Sequence, residues 1–120
     1  HGSYLRWLEK GRVELCDALG LDLIAMKKAD VLLPVTNMNV RYKASARLND
    51  SIIIETWLEK CNGLSVTFKQ TIKSKETQKT FIEAVFDVVA INEAGKLYRR
   101  MPVELVEKLT KGIEQCPVCV

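Results

Sequence analysis

The chain has 120 residues, is 48% hydrophobic and carries a formal net charge of +3. That size allows one domain with a modest core. The charge is too mild for a nucleic-acid binder, whose basic residues gather into a dense stripe, although it suits a small anionic ligand. No apolar run approaches the roughly 18–20 residues that span a bilayer, and no basic-then-apolar signal segment opens the chain. The sequence begins at His1 without a methionine, in what reads as a loop entering a helix, so it is expected to be a fragment of a longer chain.

The first predicted element is a helix. Ser3 is its expected N-cap, and Tyr4, Leu8, Gly11, Leu15, Ala18 and Leu19 recur at helical spacing. Arg6, Glu9, Lys10, Arg12, Glu14 and Asp17 fall largely elsewhere on the wheel. Gly20 is expected to end the helix in the left-handed region. Gly11, in mid-helix, costs about 1 kcal/mol against alanine, which implies close approach to another element.

The period then changes. Four segments, Val35–Tyr42, Ile52–Leu58, Leu64–Lys73 and Phe81–Ile91, are rich in β-branched and aromatic residues and read as strands. Pro34 stands just before the first, where no ladder donor is needed. Asn49-Asp50 and Asn62-Gly63 supply turn chemistry, the latter the stronger hairpin signal. Glu93-Ala94-Gly95 closes the last strand, and Met101-Pro102 leads into a helix over Val103–Ile113. There is no internal repeat or linker. The expected fold is α+β, a single domain over 1–115 in which an antiparallel sheet covers the apolar stripe of one long helix.

Four cysteines are present. Cys16 falls in the helix pattern and Cys61 at a strand end, which suits unpaired thiols in a reducing, cytoplasmic setting. Cys116 and Cys119 form a lone C-x-x-C in the tail 116–120. Zinc needs four ligands, so no metal site is assigned, and a frayed tail is the simpler reading.

Function enters through a resemblance. His1-Gly2-Ser3-Tyr4-Leu5-Arg6-Trp7-Leu8-Glu9, with Gly11-Arg12-Val13-Glu14 and Leu19-Gly20-Leu21, resembles the helix signature of the 4-hydroxybenzoyl-CoA thioesterase-like branch of hotdog proteins. That branch includes acyl-CoA thioesterases associated with the tol–pal cluster. Val40-Arg41-Tyr42, Ala46-Arg47-Leu48-Asn49-Asp50, Ser65-Val66-Thr67-Phe68-Lys69-Gln70 and Arg100-Met101-Pro102 follow in the same order.

The resemblance implies hydrolysis of acyl-CoA, or of acyl carrier protein, to an acid and a free thiol, without a cofactor. It places a catalytic Asp seven residues before the position of His1. The backbone N–H at or near that position then polarises the thioester carbonyl, a role that suits the unpaired amides and positive dipole end of a helix start. Gly2 would allow close approach, and His1 could orient a water or the Asp. Tyr4 lies in the same signature block and stands with His1, Gly2 and Glu9 as a candidate catalytic position. Glu9 would be a substitute acid, although a helix Glu is more often solvated or paired. The chain is expected to lack the catalytic Asp and the family's first strand, which puts its activity in doubt and leaves a sheet edge open. Lys69 and Lys73, on one strand face, and Arg99 and Arg100, beyond the last strand, are candidates for the phosphates of coenzyme A. A homodimer or homotetramer is expected, and nucleic acid is not a partner. Two alternatives remain: a non-catalytic acyl-thioester-binding or assembly module, and a dehydratase, whose different His/Glu constellation is not seen.

Overall fold

The fold is described from a computed structural model, covering residues 2–44, 51–113 and 118–119. The elements run α1 (Gly2–Ala18), α2 (Leu23–Lys28), β1 (Val35–Tyr42), β2 (Ile52–Cys61), β3 (Ser65–Ser74), β4 (Thr80–Val89), α3 (Val103–Ile113) and β5 (Val118–Cys119). The strands form one antiparallel sheet in the order β1-β4-β3-β2-β5. Strands β2, β3 and β4 are a meander, and β1 crosses over to lie outside β4. Helix α1 packs on one face of this sheet, which is the α+β arrangement expected.

Alternation fixes the two faces. Ile54, Thr56 and Leu58 of β2, Val66, Phe68, Gln70 and Ile72 of β3, and Ile82, Ala84, Phe86 and Val88 of β4 are buried toward the helix. Register pairs them row by row, for example Thr56↔Gln70↔Ala84 and Leu58↔Phe68↔Phe86. Lys69, Thr71 and Lys73 point the other way, with Glu55, Trp57 and Glu83 beside them.

Helix α1 buries Leu8, Gly11, Leu15 and Cys16, with Tyr4 and Leu19 half-buried. Ala18, assigned to the buried stripe on spacing, is exposed, and Cys16 takes its place. Arg12, on the Cys16 flank of the helix, reaches over Phe86 of β4, while α1 itself packs on β2, β3 and β5. Gly11 does mark the point of closest approach. A Cβ there would lie 2.5 Å from Thr56 Oγ1 and 2.9 Å from Gln70 Nε2.

The helix ends as expected. Gly20 has φ +77°, and the bonds Gly20 N–H to Asp17 O and Leu21 N–H to Cys16 O complete a Schellman motif. At its other end Ser3, expected as N-cap, is already helical because α1 begins at Gly2. The first turn is held by Tyr4, whose ring packs edge-on against Tyr42 of β1, so tertiary contact extends the helix past its local stop signal.

Three features had no clear local signal. Helix α2 is capped by Asp22, whose side chain accepts from Ile24 N and Ala25 N. The β3–β4 turn has Gln78 at φ +62° and no glycine. The tail expected to be frayed instead pairs Val118 and Cys119 with Thr56 and Glu55, so β5 lies along the outer edge of β2. Asn62-Gly63 forms its turn as read, with Gly63 at φ +84° and Asn62 Oδ1 accepting from Leu64 N and Ser65 N. Asn49-Asp50 lies outside the described residues.

Candidate active site

Helix α1 starts at Gly2, and the first amides of an α-helix have no intrahelical partner. Beside that start stands an aromatic cluster. Tyr4 meets Trp7 at 5.4 Å and Tyr42 at 5.9 Å between ring centroids, both edge-on. A hydrogen bond with Tyr42 is the main cause that raises the Tyr4 phenol above its ordinary pKa, with desolvation second. His1 lies outside the described residues, so its candidate role has no geometry to weigh.

From this cluster an open apolar track runs along β1. Tyr42, Val40 and Met38 sit in register with the helix-facing residues Ile82, Ala84 and Phe86, yet they remain exposed because α1 covers the other half of the sheet. The track reaches a groove of about 310 Å³ between α1, α2 and the sheet, lined by Glu9, Arg12, Val13, Cys16, Leu33 and Val35 among others. Two larger hollows, at the α1–α2 corner and between α2 and α3, lie at the far end of α1 from Gly2.

Glu9 is exposed and forms no ion pair among the described residues. Its neighbour Arg12 is the residue that spacing missed, since it falls off the apolar stripe. Its guanidinium lies 4.0 Å above the Phe86 ring centroid and donates to Gln70 Oε1 at 3.0 Å. Desolvation lowers the Arg12 pKa, opposed by the charge of Glu9. Gln70 is fully buried, and its Nε2 donates to Leu8 O at 2.7 Å and to Thr56 Oγ1 at 2.9 Å. A polar residue in the middle of an apolar strand, Gln70 between Phe68 and Ile72, was the available sequence signal for this network.

The four cationic candidates do not converge. Lys69 and Lys73 share the outer face as expected, on the side of the sheet away from α1. Lys73 is held by Glu55 at 2.9 Å, and Lys69 lies 5.8 Å from the Trp57 ring centroid. Arg99 and Arg100 are exposed at the opposite end of the sheet from Gly2, where Met101 N–H donates to Gly63 O.

A long helix laid on one face of an antiparallel sheet is the arrangement of a hotdog domain. The match with the family model described as "Thioesterase-like superfamily" covers residues 1–109, and the chain belongs to that family. The Synechocystis protein sll0410 is 32% identical over 112 residues, 92% of this chain and 68% of its own length. The acyl-CoA thioester hydrolase YbgC of Escherichia coli is 30% identical over 106 residues, 88% of this chain and 78% of its own. Among solved structures, the DHNA-CoA thioesterase of Staphylococcus aureus is similar at TM-score 0.83 and 27% identity, covering 92% of this chain and 76% of that one. The protein is a thioesterase of the hotdog fold.

Proposed function

We propose that this protein hydrolyses acyl-CoA thioesters, with the thioester carbonyl seated at the start of α1 and the acyl group laid along β1. Water adds to the carbonyl carbon, the carbon–sulfur bond breaks, and the products are a carboxylic acid and the free thiol of coenzyme A. Developing negative charge on the carbonyl oxygen is stabilised by first-turn amides and the helix dipole. The attacking carboxylate, or the base that activates water, is an Asp seven residues ahead of the position of His1, as the resemblance implies. Glu9 is exposed and lies two turns into α1, which favours the upstream Asp over Glu9 as the acid in this reading. The observation that carries the reading is the apolar track Tyr42–Val40–Met38, which opens at the helix start and is uncovered in a single subunit. The names borne by the Escherichia coli and Staphylococcus relatives point the same way.

Strand β1 also bears on assembly. All eight of its residues are exposed, and among the described strands it has a neighbour on one side only. A second copy docking there would pair the edges and roof the acyl track, which makes a homodimer the smallest complete enzyme. The setting is cytoplasmic in this reading, supported by the free thiols of Cys16 and Cys61. Among the described residues no helix is long and apolar enough to cross a membrane. An acyl carrier protein presents the same thioester arm and is the second candidate substrate. Thiol release from a panel of acyl-CoA and acyl-carrier-protein thioesters tests the reading. Release from neither carrier, in a protein that binds both, would favour a non-catalytic binding module.

A further inference from the structure

Arg12 is held with unusual care for a residue that the hydrolysis does not use. Gln70 Nε2 donates to the Leu8 carbonyl, which can only accept, so the amide orientation is set and its oxygen faces the guanidinium. Phe86 supports the guanidinium plane from beneath. A guanidinium has five N–H donors, and one hydrogen bond, to Gln70, is formed among the described residues. No carboxylate lies within ion-pair distance among those residues. The cation is therefore fixed, partly desolvated and short of acceptors, on the wall of an otherwise largely apolar groove.

That groove lies at the end of the acyl track. Tyr4 to Arg12 is eight residues of helix, about 12 Å at 1.5 Å per residue. Tyr42 to Met38, the partner of Phe86 in register, is four residues of strand, about 13 Å. An extended hydrocarbon chain with bonds of about 1.5 Å covers that distance in roughly eight to ten carbons. Resting on the reading that the carbonyl sits at the α1 start, we propose that Arg12 binds a hydrogen-bond-accepting oxygen at the distal end of a medium-length acyl group. The preferred substrates are then acyl thioesters oxygenated roughly eight to ten carbons from the carbonyl. Glu9 lines the same groove, so a hydroxyl, which accepts from Arg12 and can donate to Glu9, fits better than a carboxylate.

The test compares decanoyl-CoA with its ω-hydroxy and ω-carboxy counterparts, by thiol-release kcat/KM and by the affinity of the non-hydrolysable thioether analogues. Wild-type protein should favour the ω-hydroxy chain over the unsubstituted one by about ten- to a hundredfold, the range of a hydrogen bond to a charged donor. Arg12→Met should remove that preference, and Arg12→Lys, which loses the fork, should keep only part of it. A preference for either oxygenated chain that collapses in Arg12→Met supports the proposal, and the stronger of the two names the group. Equal treatment of all three chains by the wild-type protein overturns it, as does a preference that survives Arg12→Met. Analogue affinity keeps the two claims apart. Absent thiol release with selective binding removes the hydrolytic reading alone, whereas release without selectivity removes this inference alone.

Discussion

Replacing Gly11 with alanine inverts the usual rule for helices. In an exposed helix interior the change gains about 1 kcal/mol. Here the new methyl would meet Thr56 Oγ1 at 2.5 Å, Gln70 Nε2 at 2.9 Å and Ile54 Cγ2 at 3.0 Å. Two of these atoms form the buried Gln70–Thr56 hydrogen bond, so neither can retreat freely. Overpacking typically costs 1–3 kcal/mol, and breaking that bond leaves buried polar groups unpaired at a further cost of about 1–3 kcal/mol. The net expectation is a loss of about 1–5 kcal/mol after the propensity gain, a fall in Tm of roughly 4–20 °C for a domain of this size. Urea and thermal unfolding followed by far-ultraviolet circular dichroism measure it. Thr56→Ala in the same chain removes the closest atom and should make the two changes less than additive. A Gly11→Ala protein as stable as the parent, or more stable, would refute the account of how α1 seats on the sheet.

Further outcomes follow from the same geometry. Burial pushes the Cys16 thiol up to about 11 from its ordinary 9.0. The folded form thus holds its proton more tightly than the unfolded one, and the stability tied to Cys16 is complete below pH 9 and lost as pH rises toward 11. Against Cys16→Ala the parent should lose about 2–3 kcal/mol more across that window in urea titrations, and parallel pH profiles would contradict it. Sedimentation should show a dimer at micromolar concentration that Val40→Lys on β1 drives toward monomer, and an unchanged dimer would move the interface elsewhere. Coenzyme A affinity should fall with salt but stay within about twofold in Arg99→Ala and Arg100→Ala, which lie at the opposite end of the sheet from Gly2. It should also change little in Lys73→Ala, since Glu55 already holds that ammonium. A larger fall in any of these variants would return that residue to the ligand site.

Much of this architecture is legible in the residues because local and tertiary preferences agree. Val35–Tyr42 and Val103–Ile113 form over the spans their patterns predict, and Gly11, Gly20 and Asn62-Gly63 each do what their chemistry requires. The misses occur where a tertiary contact decides. Ser3 carries a cap signal, but α1 begins two residues earlier than that signal implies, with Tyr4 packed against Tyr42 in its first turn. Asp22 caps α2, a helix of six residues that is too short for periodicity to reveal. Val118 and Cys119 pair because β2 offers an edge, which no local pattern announces. Arg12 reads as a solvent-facing helix charge until the sheet beneath it is known, since only Phe86 and Gln70, far along the chain, make its position special. For the same reason Lys69 and Lys73 could be placed on one strand face, while the separation of that face from Arg99 and Arg100 could not.

The most direct measurement is thiol release from a series of acyl-CoA thioesters by the protein together with any residues its gene places ahead of His1. The account predicts turnover that is lost when the Asp seven residues before His1 is changed to Asn and largely kept in Glu9→Gln. Loss of a central catalytic group costs several orders of magnitude, whereas a solvated helix Glu costs little. No release from any acyl-CoA, or turnover abolished by Glu9→Gln alone, would contradict the placement of the reacting carbonyl at the start of α1.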